Sequence, residues 1–280
     1  MPLSPQGKYA IVNADDFGFS PQVNEGILRA HRQGLVTSTT LMANMPAAAQ
    51  AAASARQAER LGVGVHLNLS QGPPLSPQGQ ALAGADGQMH GGFLPACGVR
   101  PWLLGAAAAE CEAQIRWVLD HGIVPTHLDS HKHAHAFPPL FRRVAELARR
   151  YHIRFVRWYG ECLAGGGWPS SSFKRRIISR VLNGFAAVNA RKGSDLRATI
   201  GTLGVAHVGR IDRAWLLRAA EVVGPGVTEI MTHPGLADAS PAYATRLTAS
   251  RQTELDALCD PAVREAFERE GITRVHYGQL

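Results

Sequence analysis

The chain has few cysteines and no long apolar run. Its four cysteines among 280 residues are far apart and form no Cys-x-x-Cys pair, which favours free thiols in a reducing compartment over a disulfide framework. No apolar stretch approaches the ~18 residues that a membrane-spanning helix needs. Residues 1–6 also lack the apolar segment of a signal peptide. These absences predict a soluble, cytoplasmic protein without a membrane span.

Aromatic and acidic residues are also scarce. Aromatics make up 7% of the chain, and 22 acidic residues face 29 basic ones, for a formal net charge of +7. The densest basic cluster, Lys174–Arg176 with Arg180, is interpreted as a solvated helix face rather than a patch for nucleic acid or anionic lipid. No basic segment is interleaved with aromatics as in RNA-binding motifs. We therefore expect no nucleic-acid partner, and the sequence leaves a homodimer open.

Short apolar runs alternate with helical patterns along the whole chain. This alternation predicts an α/β fold, and about eight strands favour a (β/α) barrel or a relative of one, with a doubly wound open sheet as the alternative. No repeat or linker is visible, so one domain over residues 1–280 is expected, with long loops at about 70–101 and 160–172. The predicted strands cover residues 8–13, 35–43, 62–69, 124–129, 153–158, 198–202, 227–232 and 274–277.

The segment 126–135 places four imidazoles and one carboxylate within ten residues. His127, Asp129 and His131 are two apart, so their side chains share one face of an extended strand. Neutral imidazole and carboxylate are the usual ligands of a divalent ion such as Zn²⁺. A solvated His-rich loop is the alternative. A second acidic feature, Asp15 with Asp16, follows the first apolar run and indicates that both segments belong to one metal centre.

Polar side chains recur at the ends of predicted strands. In a (β/α) barrel the carboxyl ends of the strands build the active site. A single histidine at a strand end is more often structural, but such signals at five strand ends together predict an active site. They are Asp15 and Asp16 after the first strand, His66 after the third, Asp129 and His131 after the fourth, Arg157 on the fifth and His233 after the seventh.

Several motifs resemble those of the YdjC-like carbohydrate deacetylases, a family that includes diacetylchitobiose deacetylases. They follow one another in the family's order over almost the whole chain, and those at 11–18 and 125–131 are highly specific. The resemblance implies a distorted (β/α) barrel, a bound divalent metal, and hydrolysis of an N-acetyl group on a small sugar. The motifs lie at residues 11–18, 36–40, 64–66, 125–131 and 231–235.

Carried over residue by residue, the family's metal site falls on Asp16, His66 and His131. Such a set leaves coordination positions open, as catalysis requires. One divalent ion is expected, zinc or magnesium first, with manganese, cobalt and nickel left open. Asp15 would be the general base that takes a proton from water, and His233 is the candidate general acid for the leaving amine.

The remaining candidates are assigned supporting roles. Asp129 is expected to orient His233, and Arg157 to pair with Asp15 and lower its pKa, although buried Asp and Arg also form purely structural pairs. Trp158 and Tyr159 are candidate stacking surfaces for a sugar ring. Asn13 is a candidate for binding a substrate hydroxyl.

Two alternatives stay open at this point. One is another barrel metallohydrolase, such as a phosphoesterase, which commonly uses two metals and needs more ligands. The other is a catalytically silent sugar-binding protein, which would have no need of a carboxylate beside the metal ligand. The roles of His133 and His135 are undetermined, and His127 is interpreted as a packing residue.

Overall fold

Strands and helices alternate in the structure as the sequence pattern predicts. A computed structural model describes residues 3–91, 101–161, 168, 173–237 and 245–280. The strands in these ranges are β1 Lys8–Phe17, β2 Ser38–Leu41, β3 Gly62–Leu67, β4 His127–Ser130, β5 Phe155–Val156, β6 Gly201–Leu203, β7 Gly226–Thr232 and β8 Ile272–Arg274. The helices are α1 Pro21–Gln33, α2 Ala48–Ala55, α3 Leu104–Asp120, α4 Pro138–Arg150, α5 Phe173–Gly193, α6 Arg213–Val222, α7 Ala249–Leu258 and α8 Pro261–Arg269.

All strand pairs of the sheet are parallel, and β1 lies at its centre. The hydrogen-bonded order is β5-β4-β3-β2-β1-β7-β6. The amino-terminal residues Lys8–Ala10 of β1 pair with β8, and its later residues pair with β2. β7 pairs with β1 from Lys8 to Ala14. Parallel strands joined by helices bring all carboxyl ends to one side, where the polar residues predicted from the sequence collect.

The sheet curves into a distorted barrel whose two edge strands, β5 and β6, share no ladder pairing in the described ranges. Just after β5, the backbone at Gly160 contacts the backbone at Gly201 of β6 across the gap between the two edge strands. The approach is so close that a Cβ atom at Gly201 would lie 2.6 Å from the carbonyl oxygen of Gly160. Close by, the Thr202 hydroxyl donates to the carbonyl of Trp158 over 2.9 Å. The barrel is therefore closed by two glycines that allow backbone contact, and the predicted fold class is confirmed.

Sequence signals predicted the start of helix α1 more accurately than they predicted the ends of the strands. Ser20 caps α1, its hydroxyl accepting from the Val23 amide at 3.2 Å, and Pro21 takes the first helical position as predicted. The predicted first strand stops at Asn13, whereas β1 continues through the acidic pair to Phe17. The predicted strand 35–43 is longer than β2, because its apolar flanks Leu35, Val36, Met42 and Ala43 are buried outside the strand. The predicted strand 274–277 begins at the residue where β8 ends.

Parts of the predicted loops lie outside the described residues, namely 92–100 of the first loop and most of 160–172, together with Cys97 and Cys162. The described cysteines, Cys111 and Cys259, are free thiols. Within the described ranges no helix combines the length and apolar character needed to cross a membrane.

The contact between α1 and the turn after β7 gives a stability prediction. A Cβ atom at Gly26 would overlap the backbone of Gly235, whereas one at Gly184 in α5 meets nothing within 4 Å. We expect Gly26→Ala to lower the free energy of unfolding by about 1–3 kcal/mol. Gly184→Ala should be neutral or stabilising by up to about 1 kcal/mol. Urea denaturation of both variants checks this, and equal stabilities would contradict the packing described here.

Candidate active site and metal centre

The predicted site residues meet in one cavity at the carboxyl end of the barrel, with a volume of about 580 Å³. Asp15 and Asp16 of β1 line it together with His66 from β3. His131, which follows β4, and His233, which follows β7, complete this part of the wall. Residues separated by more than two hundred positions in the chain therefore face the same space, as the barrel prediction required.

Asp16 is turned toward the cavity by an irregular backbone. Its φ of 72° lies in the left-handed region that non-glycine residues rarely adopt, and the β1–β2 register shifts between Ala14 and Phe17. Successive side chains of a regular strand point to opposite faces, so this bulge is what lets Asp15 and Asp16 both line the cavity. The strained residue marks a functional position.

One carboxylate oxygen of Asp16 faces two imidazoles. Its Oδ1 lies 3.1 Å from His131 Nδ1 and 3.3 Å from His66 Nε2. Its Oδ2 accepts a hydrogen bond from Arg251 over 2.6 Å. Burial raises the pKa of Asp16, but the charge of Arg251 and the imidazoles outweigh it and hold that pKa well below the usual range. The Asp16 carboxylate is thus ionised, with one oxygen directed at the imidazoles.

His66 is oriented from behind by Asp129. His66 Nδ1 lies 2.7 Å from Asp129 Oδ1 and 3.0 Å from the Thr40 hydroxyl. A proton shared with Asp129 at Nδ1 leaves Nε2 directed at Asp16, which is the carboxylate–histidine arrangement common at metal sites. Burial lowers the pKa of His66, but Asp129 and Asp16 raise it to about 10. Without a cation this group of anionic side chains holds a proton, so a divalent ion fits it electrostatically.

The expectation that Asp129 orients His233 is therefore wrong. One oxygen of Asp129 contacts His66, and the other is 3.1 Å from Thr40 Oγ1 and 2.8 Å from Arg157 Nη1. The carboxylate beside His233 belongs instead to Asp15, whose Oδ2 is 4.0 Å from His233 Nε2. Sequence spacing could place Asp129 at the site, but it could not determine which imidazole it would meet.

Arg157 forms the predicted pair with Asp15. Its Nη1 and Nη2 donate to the two carboxylate oxygens at 2.7 and 2.6 Å. Burial raises the pKa of Asp15, and the charge and hydrogen bonds of Arg157 outweigh it and lower that pKa below its usual value. Arg157 also contacts Asp129 and Glu229, with Nε donating to Glu229 Oε1 at 2.9 Å. One fully buried guanidinium thus faces three carboxylates from three strands.

The three predicted sugar-binding residues are not among the described residues that line the cavity. Asn13 is fully buried, and its amide donates to Asp15 Oδ1 at 2.8 Å, which fixes the carboxylate. The Trp158 ring packs against Phe141 and lies under the guanidinium of Arg197. The Tyr159 side chain is buried as well. Adjacency to a strand end did not decide which way these side chains point.

His233 lies at the wall of the cavity with an unusual environment. Its backbone amide donates to Glu254 Oε2 at 2.6 Å, while its Nδ1 is buried without a hydrogen-bond partner in the described structure. Burial lowers its pKa to about 4, although Asp15 and Asp16 act in the opposite direction. At neutral pH the imidazole is therefore uncharged, so a proton must reach it before it can act as an acid.

The other histidines of segment 126–135 have separate surroundings. His127 stacks on Tyr277 with ring centroids 3.9 Å apart, which agrees with a packing role. His133 lines the cavity, and its Nδ1 is 2.9 Å from the Tyr159 hydroxyl. His135 is buried, with Nδ1 2.6 Å from the Ser130 hydroxyl. Only His131 joins the cluster with Asp16.

Sequence reasoning missed three charged residues that hold the site together. Arg251 pairs with Asp16, Glu229 pairs with Arg157, and Glu254 accepts from the amide of His233. Burial raises the pKa of Glu254 to about 8. A signal existed for Glu229, since a carboxylate inside the apolar run of β7 needs a buried partner. Arg251 and Glu254 lie on α7, and charged residues within a helical sequence pattern are normally predicted to face solvent.

Fold and site together define a distorted (β/α)-barrel protein with a candidate metal centre of one aspartate and two histidines. The model of the YdjC-like protein family matches residues 9–269, and the chain belongs to that family. The resemblance read from the motifs is thus confirmed.

Named relatives agree with this assignment. A carbohydrate deacetylase of Geobacillus stearothermophilus is 34% identical over 280 residues, covering 98% of both chains. The human carbohydrate deacetylase is 32% identical over 284 residues, covering 94% of this chain and 88% of its own. Among solved structures, an Enterococcus faecalis protein whose suggested role is cellobiose-phosphate cleavage is 27% identical, with a TM-score of 0.78 and 98% coverage of both chains.

The Arg157 cluster gives a prediction with a defined pH dependence. Arg157→Met leaves three buried carboxylates without their cation, so we expect a loss of about 3–5 kcal/mol in the free energy of unfolding at pH 8. Without Arg157, burial raises the pKa values of Asp15 and Glu229 above their unfolded values. The folded variant then binds protons more readily than the unfolded chain. Its loss in free energy of unfolding relative to wild type therefore becomes smaller as the pH falls from 8 to 5.

The matched control is Arg149→Met, which removes an arginine paired with Asp195 at the surface, where the two side chains are 45% and 57% exposed. That change should lower the free energy of unfolding by about 0–1 kcal/mol at either pH. Denaturant titrations of wild type and both variants at pH 5 and pH 8 provide the comparison. A small, pH-independent loss for Arg157→Met would show that the cluster does not depend on its guanidinium.

Proposed function

We propose that this protein is a metal-dependent hydrolase that removes the N-acetyl group from a small N-acetylated sugar. The substrate would be a chitooligosaccharide or a glycoside or glycolipid that carries N-acetylglucosamine. The observation that carries the proposal is the pair of adjacent carboxylates, of which Asp16 faces His66 and His131 while Asp15 stays beside His233. The family and the names of its members support the same class of enzyme.

The proposed metal ligands are Asp16 Oδ1, His66 Nε2 and His131 Nδ1, which converge within one cluster. One carboxylate and two imidazoles suit zinc. Magnesium, manganese, cobalt and nickel are the other ions to compare in binding experiments. A divalent ion bound there would supply Lewis acidity for the acetyl carbonyl and for a water molecule. Arg251 would hold the second oxygen of Asp16, and Asp129 would hold the far nitrogen of His66, so that the ligands keep their orientation.

Asp15 and His233 are proposed to move the proton. Arg157 keeps Asp15 ionised, so its carboxylate can accept a proton from the attacking water. Asp15 would pass this proton to His233 Nε2, which lies 4.0 Å from Asp15 Oδ2. The imidazolium then donates the proton to the sugar nitrogen as the carbon–nitrogen bond breaks. Acetic acid and a free amine form, the carboxyl proton passes to the amine in solution to give acetate and an ammonium ion, and His233 returns to its neutral form.

The runner-up functions fit the geometry less well. A two-metal phosphoesterase would need a second site, for which Asp15, His66 and Asp129 are the nearest cluster. Arg157 already contacts Asp15 and Asp129, and His66 belongs to the first cluster, so a second ion would compete with a buried guanidinium. A catalytically silent sugar-binding protein would have no use for the Asp15–His233 pair.

The catalytic proposal predicts a loss of turnover without a loss of metal. Asp15→Asn should lower acetate release from N,N′-diacetylchitobiose by about 10² to 10⁴, because the amide cannot accept the proton from water. Metal analysis should still find one ion per chain. Asp86→Asn, at an aspartate that is 55% exposed and does not line the cavity, serves as the matched control and should retain full activity. Two ions per chain with no acetate from any N-acetyl sugar would disprove the deacetylase proposal.

The metal proposal predicts an effect of a residue that is not itself a ligand. Asp129→Asn should weaken zinc binding by about 10- to 100-fold, because the amide no longer holds His66 with Nε2 directed at Asp16. Competition with a chromophoric chelator measures the affinity. Asp195→Asn, at a surface aspartate, is the control and should bind zinc as wild type does. Equal affinities for the two variants would show that Asp129 does not position the ligand.

A further inference from the structure

Helix α5 carries large apolar side chains on its solvent side. Four of the eight large hydrophobic residues that are exposed in the described ranges lie on this helix, namely Phe173, Ile177, Val181 and Val188, with exposures of 79, 44, 38 and 60%. Their separations of four, four and seven residues put them on one face. We call this face the apolar stripe. It is the reverse of the usual arrangement, in which such a face packs on the core.

The opposite face of α5 attaches to the barrel through the fully buried Leu182 and through small and polar residues. The Ser179 hydroxyl donates to Glu161 at 2.6 Å, and the Asn189 amide donates to the carbonyl of Ala136 at 2.8 Å. Gly193 sits against the ring of Phe141. The helix is therefore docked by its buried face, and within the described part of the chain the apolar stripe faces away from the barrel.

Charge around the apolar stripe is of one sign. The helix contains six basic residues and no acidic residue. At about 100° per residue, Arg180 and Arg191 lie within about 20° of Phe173, and Lys174 and Lys192 lie just beyond the other margin. The outward surface of α5 thus combines a central apolar row with flanking cations. A second copy of the same surface would repel it, whereas an anionic surface would attract it.

The apolar stripe lies beside the cavity at the carboxyl end of the barrel. Lys174, Arg175 and Ile178 of the same helix line that cavity together with Asp15 and Asp16. A surface that contacted α5 would therefore lie next to this cavity.

We propose that α5 docks this protein on the surface of an anionic lipid bilayer. The helix would lie in the interface, with the apolar stripe among the upper acyl chains and the flanking lysines and arginines on anionic headgroups. This is peripheral binding and agrees with the finding that no described helix spans a membrane. It differs from the interpretation of Lys174–Arg176 and Arg180 as a merely solvated face, because the exposed apolar row beside these cations was not visible in the charge pattern. The proposal does not depend on the proposed function.

The test is cosedimentation of the full chain with vesicles. Wild type is mixed with vesicles of phosphatidylcholine containing about 30% phosphatidylglycerol and with vesicles of phosphatidylcholine alone. Ile177→Ser/Val188→Ser shortens the apolar stripe at exposed positions. Val124→Ser/Ile200→Ser is the matched control, since these residues are 83% and 51% exposed and precede β4 and β6, at the opposite end of the barrel. Circular dichroism and light scattering check folding and oligomeric state.

We expect wild type and the control to bind the anionic vesicles, and the stripe variant to bind at least about tenfold more weakly. Binding should fall with added salt and be much weaker without phosphatidylglycerol. Absence of wild-type binding, or equal binding by the stripe variant, would overturn the proposal. A wild-type dimer that the stripe variant dissociates, without vesicle binding, would assign the stripe to an interface between copies and overturn it as well.

Discussion

The buried guanidinium of Arg157 is the interaction on which the site depends. It faces carboxylates from β1, β4 and β7, which could not be buried together as anions without a cation among them. Through Asp15 it keeps one carboxylate ionised beside His233, and through Asp129 it supports the aspartate that orients His66. The same residue follows the short edge strand β5, so it also ties that edge of the sheet to the central strand β1.

The irregular backbone at Asp16 divides two neighbouring carboxylates between two tasks. With φ at 72°, Asp16 turns toward His66 and His131, while Asp15 keeps its strand position and meets Arg157. Each carboxylate has its own arginine, since Arg251 contacts Asp16. The charges therefore do not have to share one counterion, and in the proposed mechanism one carboxylate holds metal while the other moves a proton.

Comparison of particular residues shows where inference from the sequence holds. Ser20 and Pro21 located a helix start, because capping depends on a few adjacent residues. The strand-end positions of Asp16, His66 and His131 placed them at one site, because parallel strands align their carboxyl ends. Trp158 and Tyr159 are not among the described lining residues of the cavity, because a strand end does not specify side-chain direction, and Asp129 was given the wrong imidazole for the same reason.

The sequence by itself determined the alternating α/β pattern, the barrel class and the candidate cluster of Asp15, Asp16, His66, His131 and His233, since these depend on hydrophobic periodicity and on motif order. Only the tertiary structure decided the pairings of Arg157 with Glu229 and of Arg251 with Asp16, and the outward direction of the apolar stripe on α5. Such features depend on which buried charges meet across distant segments and which helix face packs on the barrel, and both are set by three-dimensional packing rather than by local spacing.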